Sequence, residues 1–376
     1  MKTIAFYLPQ FHTFPENDEW WGKGFTEWTN VKKAAPLFEG HYQPRVPKDN
    51  YYYNLLENNT WAWQIDLAKK HGIYGFCFYH YWFDGKLLME KPVENFLADE
   101  SLDMPFCICW ANEHWTKAWS GKQNQVLIAQ RYGGEKEWTE HFNYLLPFFK
   151  DKRYIKNNGK PLFVLYRPEL LEDALNPMLD CWQRLARENG FELEFGYQQI
   201  MFDIQKNKDD SRFTYNIEYQ PNYANYDLNH NKHRFLKAVK RVISKPLYKL
   251  GINLEQVRTE GLIKSDYDEL WQAVLAHKPT DKKCVPGAFV DWDNTPRKKE
   301  RGSVFIGAHP DKFRKYMSEL IKKTKNEYEK DMIFLFAWNE WAEGGYMEPD
   351  EKFGTGYLEA LKGALEENGE FPDYTM

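Results

Sequence analysis

The chain has 376 residues, 43% hydrophobic and 28% charged, with a net charge of −5. This balance describes a globular protein able to bury a full core, and it argues against nucleic acid as the main partner, because phosphate binding needs a basic surface. No apolar run reaches the roughly 18 residues needed to cross a bilayer, so no membrane-spanning helix is expected.

Short apolar runs of strand length alternate with stretches of helical pattern along the chain. The first run, Ile4–Leu8, stops at Pro9 and Gln10, which reads as a strand rather than a signal segment and implies a cytoplasmic protein. A helix over Trp61–His71 ends before Gly72 and leads into Ile73–Phe78. Phe106–Trp110 follows, then a helix over Glu135–Phe149 and the run Leu162–Tyr166. An amphipathic stretch, Leu171–Glu188, precedes Leu193–Tyr197. Phe213–Ile217, Val285–Val290 and Ile333–Trp338 complete eight runs, and a last helix covers Gly356–Glu366. Strands apolar throughout and separated by helices imply a parallel sheet covered by helices. Eight of them predict an α/β fold, a single (β/α)8 TIM barrel over residues 1–376 with loop insertions on its C-terminal face. No glycine-rich nucleotide loop follows the first strand.

The five cysteines form no C-x-x-C pair, and three lie in apolar runs, so buried free thiols in a reducing compartment are expected. No H-E-x-x-H is present, and no metal or cofactor is expected.

Active sites of such barrels gather at the C-terminal ends of the strands, and polar and aromatic clusters follow the apolar runs. Tyr7, Gln10 and His12 come at the first, and Tyr79, His80, Tyr81 and Trp82 at the second. Asn112, Glu113, His114 and Trp115 follow the third, with Tyr166 and Arg167 at the fourth. Gln198 and Gln199 follow the fifth and Glu218, Tyr219 and Gln220 the sixth. Asp291, Trp292, Asp293, Asn294 and Arg297 come after the seventh, and Asn339, Glu340, Trp341 and Glu343 after the eighth, with Tyr346 close behind. Aromatic rings pack on the apolar faces of sugars while amides and carboxylates bond the hydroxyls. A polar rim with 15 Trp and 24 Tyr in the chain therefore suits an oligo- or polysaccharide.

Breaking a glycosidic bond needs an acid for the leaving oxygen and a second carboxylate. Glu340 and Glu343 are the catalytic candidates, because they leave the reactive end of an apolar strand between Trp338 and Trp341. The same glutamates can also be read as satisfying backbone donors in a turn ending at Gly344. Glu113 is the rival acid, or a sugar-binding group. Asp291 and Asp293 read as hydroxyl acceptors, with Arg297 pairing one of them. His12, His80 and His114 read as sugar contacts ahead of a metal cluster.

Tyr7–His12, Gly24–Val31, Trp110–Glu113, Trp292–Arg297 and Trp338–Gly344 together resemble the WbsX family, often called glycosyltransferase WbsX, over nearly the whole chain. That family occurs in bacterial O-antigen and capsule gene sets and is similar to glycoside hydrolase family 99, the endo-α-mannosidases and mannanases. The resemblance implies a (β/α)8 barrel in which Glu340 is the base assisting attack by the sugar's own 2-hydroxyl. Glu343 would be the acid/base at the glycosidic oxygen, with retention through a 1,2-anhydro sugar. Ala342 stands where those hydrolases usually carry His, which weakens any inference to mannose. A glycosyltransferase and a non-catalytic glycan-binding barrel are the alternatives.

A basic insertion spans 219–263, with no acidic residue from Lys232 to Lys249. Phe235, Leu236, Val239, Val242 and Ile243 recur at helical spacing there. It reads either as an ordinary solvated helix or as a peripheral contact with an anionic membrane.

Overall fold

The computed structural model describes residues 1–116, 126–199, 209–225, 228 and 261–374. The basic stretch Lys232–Lys249 lies outside the described residues. No described helix is long and apolar enough to cross a membrane.

The expected alternation is a closed parallel barrel. Its strands are β1 (Lys2–Tyr7), β2 (Ile73–Phe83), β3 (Phe106–Trp110), β4 (Lys160–Leu165), β5 (Glu194–Gln199) and β6 (Tyr215–Glu218). β7 comes in two pieces, Cys284–Val285 and Gly287–Phe289, and β8 is Met332–Phe336. β1 pairs in parallel with both β2 and β8, with Ile4 opposite Gly75 on one side and Phe334 on the other. Parallel pairing continues from β2 through β6.

The ring closes through β7, and its break has a chemical cause. Pro286 has no N–H to give to a ladder. Before it, Cys284 and Val285 pair with β6. After it, Gly287–Phe289 pair with β8, and the Pro286 carbonyl accepts from Phe334 N at 3.1 Å.

The helices used below are α1 (Glu27–Lys33), α2 (Asn58–Lys70), α3 (Glu135–Lys150), α4 (Leu175–Glu188), α5 (Tyr267–Ala276), α6 (Pro310–Asn326) and α7 (Gly356–Glu367). α2 shows why they form where they do. Trp61, Gln64, Ile65 and Ala68 recur at three- and four-residue spacing and are the face it buries. The stretch expected as one helix over Leu171–Glu188 is instead a 3-10 segment, Pro168–Ala174, followed by α4, because Glu172 takes φ 47° and breaks the run.

Gly287 sits at the seam, where a Cβ would lie 1.8 Å from the Glu218 carbonyl oxygen. Gly287→Ala is therefore expected to destabilise the fold by at least ~2 kcal/mol, through a backbone shift between β6 and β7. Gly196→Ala on β5, where the nearest atom is Leu162 Cδ1 at 3.5 Å, should stay within about 1 kcal/mol of the parent. Denaturant melts of the two variants check this, and equal losses would contradict the seam.

Candidate active site

Strand alternation decides which rim residues face the barrel's interior. The Phe6 ring meets Tyr79, Tyr219 and Phe334 at 5.5–5.6 Å. Those residues come from opposite sides of the ring, so all four lie inside it. Tyr79 and Tyr219 hydroxyls are 3.2 Å apart, and Tyr166 packs on both rings. Tyr81, two residues beyond Tyr79, shares that face and senses the charges of Glu340 and Arg297.

The intervening residues face outward, and the expectation that they line a sugar pocket is corrected for them. Tyr7 donates to Gln64 of α2 at 2.6 Å and stacks on Trp61. His80 bonds His141 of α3 at 2.8 Å, and burial pushes its pKa down to about 3. Trp82 donates to Glu137 of α3 and stacks on His141. Glu218 accepts from Tyr328 at 2.9 Å with both oxygens.

At the mouth, one guanidinium gathers three carboxylates. Arg297 Nε donates to Glu27 Oε1 at 2.8 Å, and its Nη1 donates to Glu343 Oε1 at 2.6 Å. Its Nη2 reaches Glu340 Oε2 at 3.4 Å. The expected pairing of Arg297 with Asp291 or Asp293 is thus corrected: its carboxylate partners are Glu27, Glu340 and Glu343. Its side chain is 4% exposed, as against 8% for Glu340 and 23% for Glu343, so the pair is graded from deep to accessible. Burial first, and then the neighbouring charge of Glu343, raise the Glu340 pKa to about 8 against the pull of Arg297. Three carboxylates on one cation cannot all ionise cheaply, and the cluster holds a proton near neutral pH.

A second buried network holds Arg297 in place. It sits on the short helix Thr295–Lys298, started by Asp293, whose Oδ1 accepts from Thr295 N at 3.0 Å and Thr295 Oγ1 at 2.6 Å. Asp293 Oδ2 accepts from Gln43 Nε2 at 2.7 Å. It also accepts from His41 Nε2 at 2.9 Å, since Leu37 N donates to the other ring nitrogen. Burial works to raise the Asp293 pKa, but His41, the Arg45 charge, Thr295 and Gln43 bring it down to about 2. Arg45 donates to Asp291 Oδ2 at 2.7 Å and to the Gly344 carbonyl at 3.2 Å. Gly344, at φ 72°, lets the Glu343 turn approach Asp293, where a Cβ would meet Asp293 N at 2.7 Å. Both aspartates are therefore committed to the scaffold rather than offered as hydroxyl acceptors.

Below the pair lies a carboxylate that the sequence did not flag. Glu348 accepts from Tyr53 at 2.9 Å, Gln64 at 2.7 Å and Trp341 Nε1 at 2.6 Å. Burial raises it to about 7 against those donors. It anchors the indole between Glu340 and Glu343.

The remaining expected residues divide in the same way. Asn339 ties β8 to β1, accepting from Leu8 N at 2.8 Å and donating to the Leu8 carbonyl at 3.1 Å. Asn112 accepts from Arg167 N at 2.8 Å, Asn294 accepts from Ser303 N at 2.8 Å, and Tyr346 donates to Asp350 at 2.7 Å. These four polar groups are spent on the protein. Trp292, half-buried, donates to Ser303 Oγ and packs on Phe336. Glu113 pairs with Arg167, its pKa raised by burial against that charge, and its side chain is 42% exposed. Trp115 packs edge-on against Tyr81. Gln10 is buried. His12, His80 and His114 do not converge: His12 bonds the Thr13 carbonyl, and His114 accepts from Gln130 N.

The sequence model of the family Glycosyltransferase WbsX matches residues 3–361. The chain belongs to this family. The protein WxcX, in two strains of Xanthomonas campestris pv. campestris, is 34% identical over 365 residues, covering 96% of this chain and 49% of WxcX. This WbsX-family chain thus spans about half the length of those relatives. Among solved structures, a glycoside hydrolase-like protein superposes with TM-score 0.55 at 14% identity, covering 99% of this chain and 94% of the other. The family 99 endo-α-mannosidase from Bacteroides thetaiotaomicron gives TM-score 0.52 at 12% identity, covering 97% and 96%. At these identities the likeness is one of fold, and the fold is the (β/α)8 barrel.

The Glu340 shift makes a prediction about stability in this WbsX-family chain. Its folded pKa lies near 8, above its ordinary 4.5, so between those values the unfolded chain has released a proton that the folded chain keeps. Stability therefore falls as pH rises through that window. Glu340→Gln lacks this slope, and its melting temperature relative to the parent should rise steadily from pH 5 to pH 8. A constant difference between the two melting curves would contradict the assignment.

Proposed function

We propose that the chain is a retaining α-glycoside-processing enzyme, with Glu340 and Glu343 as its reacting carboxylates and a bacterial surface polysaccharide of O-antigen or capsule type as substrate. The observation that carries this reading is the graded pair of carboxylates on one buried guanidinium, at the mouth of a tyrosine-lined barrel. A glycosidic acid/base pair needs groups whose protonation states differ at one pH, and the raised Glu340 pKa beside Glu343 supports such a difference.

In the productive state the proton sits on Glu343, the more accessible carboxyl. The sugar's 2-oxygen attacks its own anomeric carbon while its proton passes to Glu340. The bond to the leaving oxygen breaks, and that oxygen takes the proton of Glu343. A water or a sugar hydroxyl then opens the 1,2-anhydro ring at the anomeric carbon, returning a proton to Glu343, and the 2-oxygen recovers its own from Glu340. Two inversions leave the configuration retained. Whether the acceptor is water or another sugar separates hydrolysis from transglycosylation, with no change in the residues.

The same geometry favours a second reading with the roles exchanged. Arg297 lies 2.6 Å from Glu343 and 3.4 Å from Glu340, which holds the resting proton on Glu340. Leaving-group dependence separates the two. On an α-linked oligosaccharide both Glu343→Gln and Glu340→Gln should lose at least ~10³-fold in kcat, with sugar binding retained. On an aryl glycoside whose leaving group needs no proton, only the variant lacking the acid should recover its first step. Recovery by Glu343→Gln supports the roles proposed, and recovery by Glu340→Gln supports their exchange. Full activity in both variants would leave a glycan-binding barrel without catalysis.

The shared proton also sets a pH profile. Turnover requires one proton on the pair, and the pair's last proton leaves near pH 8. kcat/KM should therefore fall as pH rises through 8. A profile flat well above that point would contradict the reading.

A further inference from the structure

We propose that the cavity between the end of β1, α1 and the turn at Tyr52–Asn54 is a second glycan subsite, which takes a hydroxylated sugar ring bearing an anionic substituent, a carboxylate or a phosphate. The proposal rests on the glycan reading above and adds a substrate class to it.

The cavity holds about 390 Å³, within the ~300–1,000 Å³ of small-molecule sites. His12, Trp28, Lys32, Lys33 and Tyr52 are among its lining residues, and no acidic side chain lines it among the described residues. Neither lysine belongs to an ion pair among the described residues. The Lys32 ammonium instead lies 3.9 Å from the centre of the Tyr52 ring, and Tyr52 stands edge-on to Trp28 at 5.1 Å. Flat rings and two cations outside any described ion pair make a wall for the apolar face of a sugar and a charge for its acid.

His12 adds a constraint on the ring itself. The Thr13 carbonyl only accepts, so His12 Nδ1 must be the donor in their 3.0 Å bond. Burial lowers the pKa of His12, which keeps it neutral. Its Nε2 is then a lone-pair acceptor, and it is buried with no partner among the described residues. A hydroxyl is the complementary donor, and it reaches this closed-off atom only where a sugar in the cavity displaces the wall around it.

The cavity also stands in a fixed relation to the reacting carboxylates. α1 begins at Glu27, which holds Arg297, and its next residue, Trp28, packs on Trp341 between Glu340 and Glu343 at 5.3 Å. Among the described residues the catalytic cluster has more carboxylates than cations and repels an acid, whereas this cavity has cations and no carboxylate. A glycan with neutral and acidic residues would be set in register by that contrast, its acid here and its neutral bond at the pair.

The test is ligand-observed NMR at low salt with the full chain, using methyl α-glucuronoside, glucose 1-phosphate and methyl α-glucoside. At least one anionic sugar should bind about tenfold or more tighter than the neutral glucoside. That preference should vanish in Lys32→Ala/Lys33→Ala, whose changes are exposed. His12→Phe should weaken all binding at the cavity. Preference for the glucuronoside supports an acidic sugar as occupant, and preference for the phosphate supports a sugar phosphate. Equal affinities, no binding of either anion, or a preference that survives the double variant would overturn the proposal. The readout is binding, so it stands apart from the loss of turnover expected on replacing Glu343.

Discussion

The site depends on one electrostatic constraint: the guanidinium of Arg297, almost wholly buried, against the carboxylates of Glu27, Glu340 and Glu343. A buried arginine keeps its proton, so it must be neutralised in place, and one carboxylate would have sufficed. Three exceed it. The excess is relieved by keeping a proton, and burial together with the neighbouring charge of Glu343 places that proton on Glu340. The raised Glu340 pKa, the stability slope and the proposed acid/base chemistry are consequences of that single imbalance.

Much of the surrounding polar structure makes sense as support for it. Asp293 is ionised, fully bonded and buried, and it begins the short helix on which Arg297 rides. Arg45 ties Asp291 to the Gly344 carbonyl, fixing the turn that carries Glu343. Glu348 holds Trp341 from below. Removing one partner from such a network leaves a buried charge or donor exposed to nothing, which is more damaging than losing a surface ion pair. The aromatic excess in the composition serves two ends: Tyr79, Tyr81, Tyr166 and Tyr219 crown the barrel interior, while Trp61, Trp182 and Trp271 pack outside the strands.

The barrel was legible because eight apolar runs cannot be covered in any simpler way, and the structure finds strands at all eight. Glu340, Glu343 and Arg297 stood out because each lies within a few residues of a strand end. What was missed has two physical causes. Glu27, His41, Gln43 and Arg45 arrive on a long connection between β1 and β2, and no local pattern tells that such a loop folds back over the mouth. Tyr7, His80, Trp82 and Glu218 were placed at the mouth by counting residues after a run, although a strand turns alternate side chains away. The signal was present: Tyr79 and Tyr81 are spaced by two, as are Ile217 and Tyr219, and that spacing marks the inward face. Glu348 could not be read, because only the packing beneath Trp341 encloses it.

The shared proton is the claim on which the account turns, and carboxyl 13C NMR of glutamate-labelled protein measures it directly. Two glutamate signals should titrate above pH 6 in the parent, Glu348 near pH 7 and Glu340 near pH 8, and only the one near pH 8 should be absent from Glu340→Gln. If no glutamate carboxyl titrates near pH 8, or if that signal survives in the variant, Glu340 does not hold the proton and the account fails.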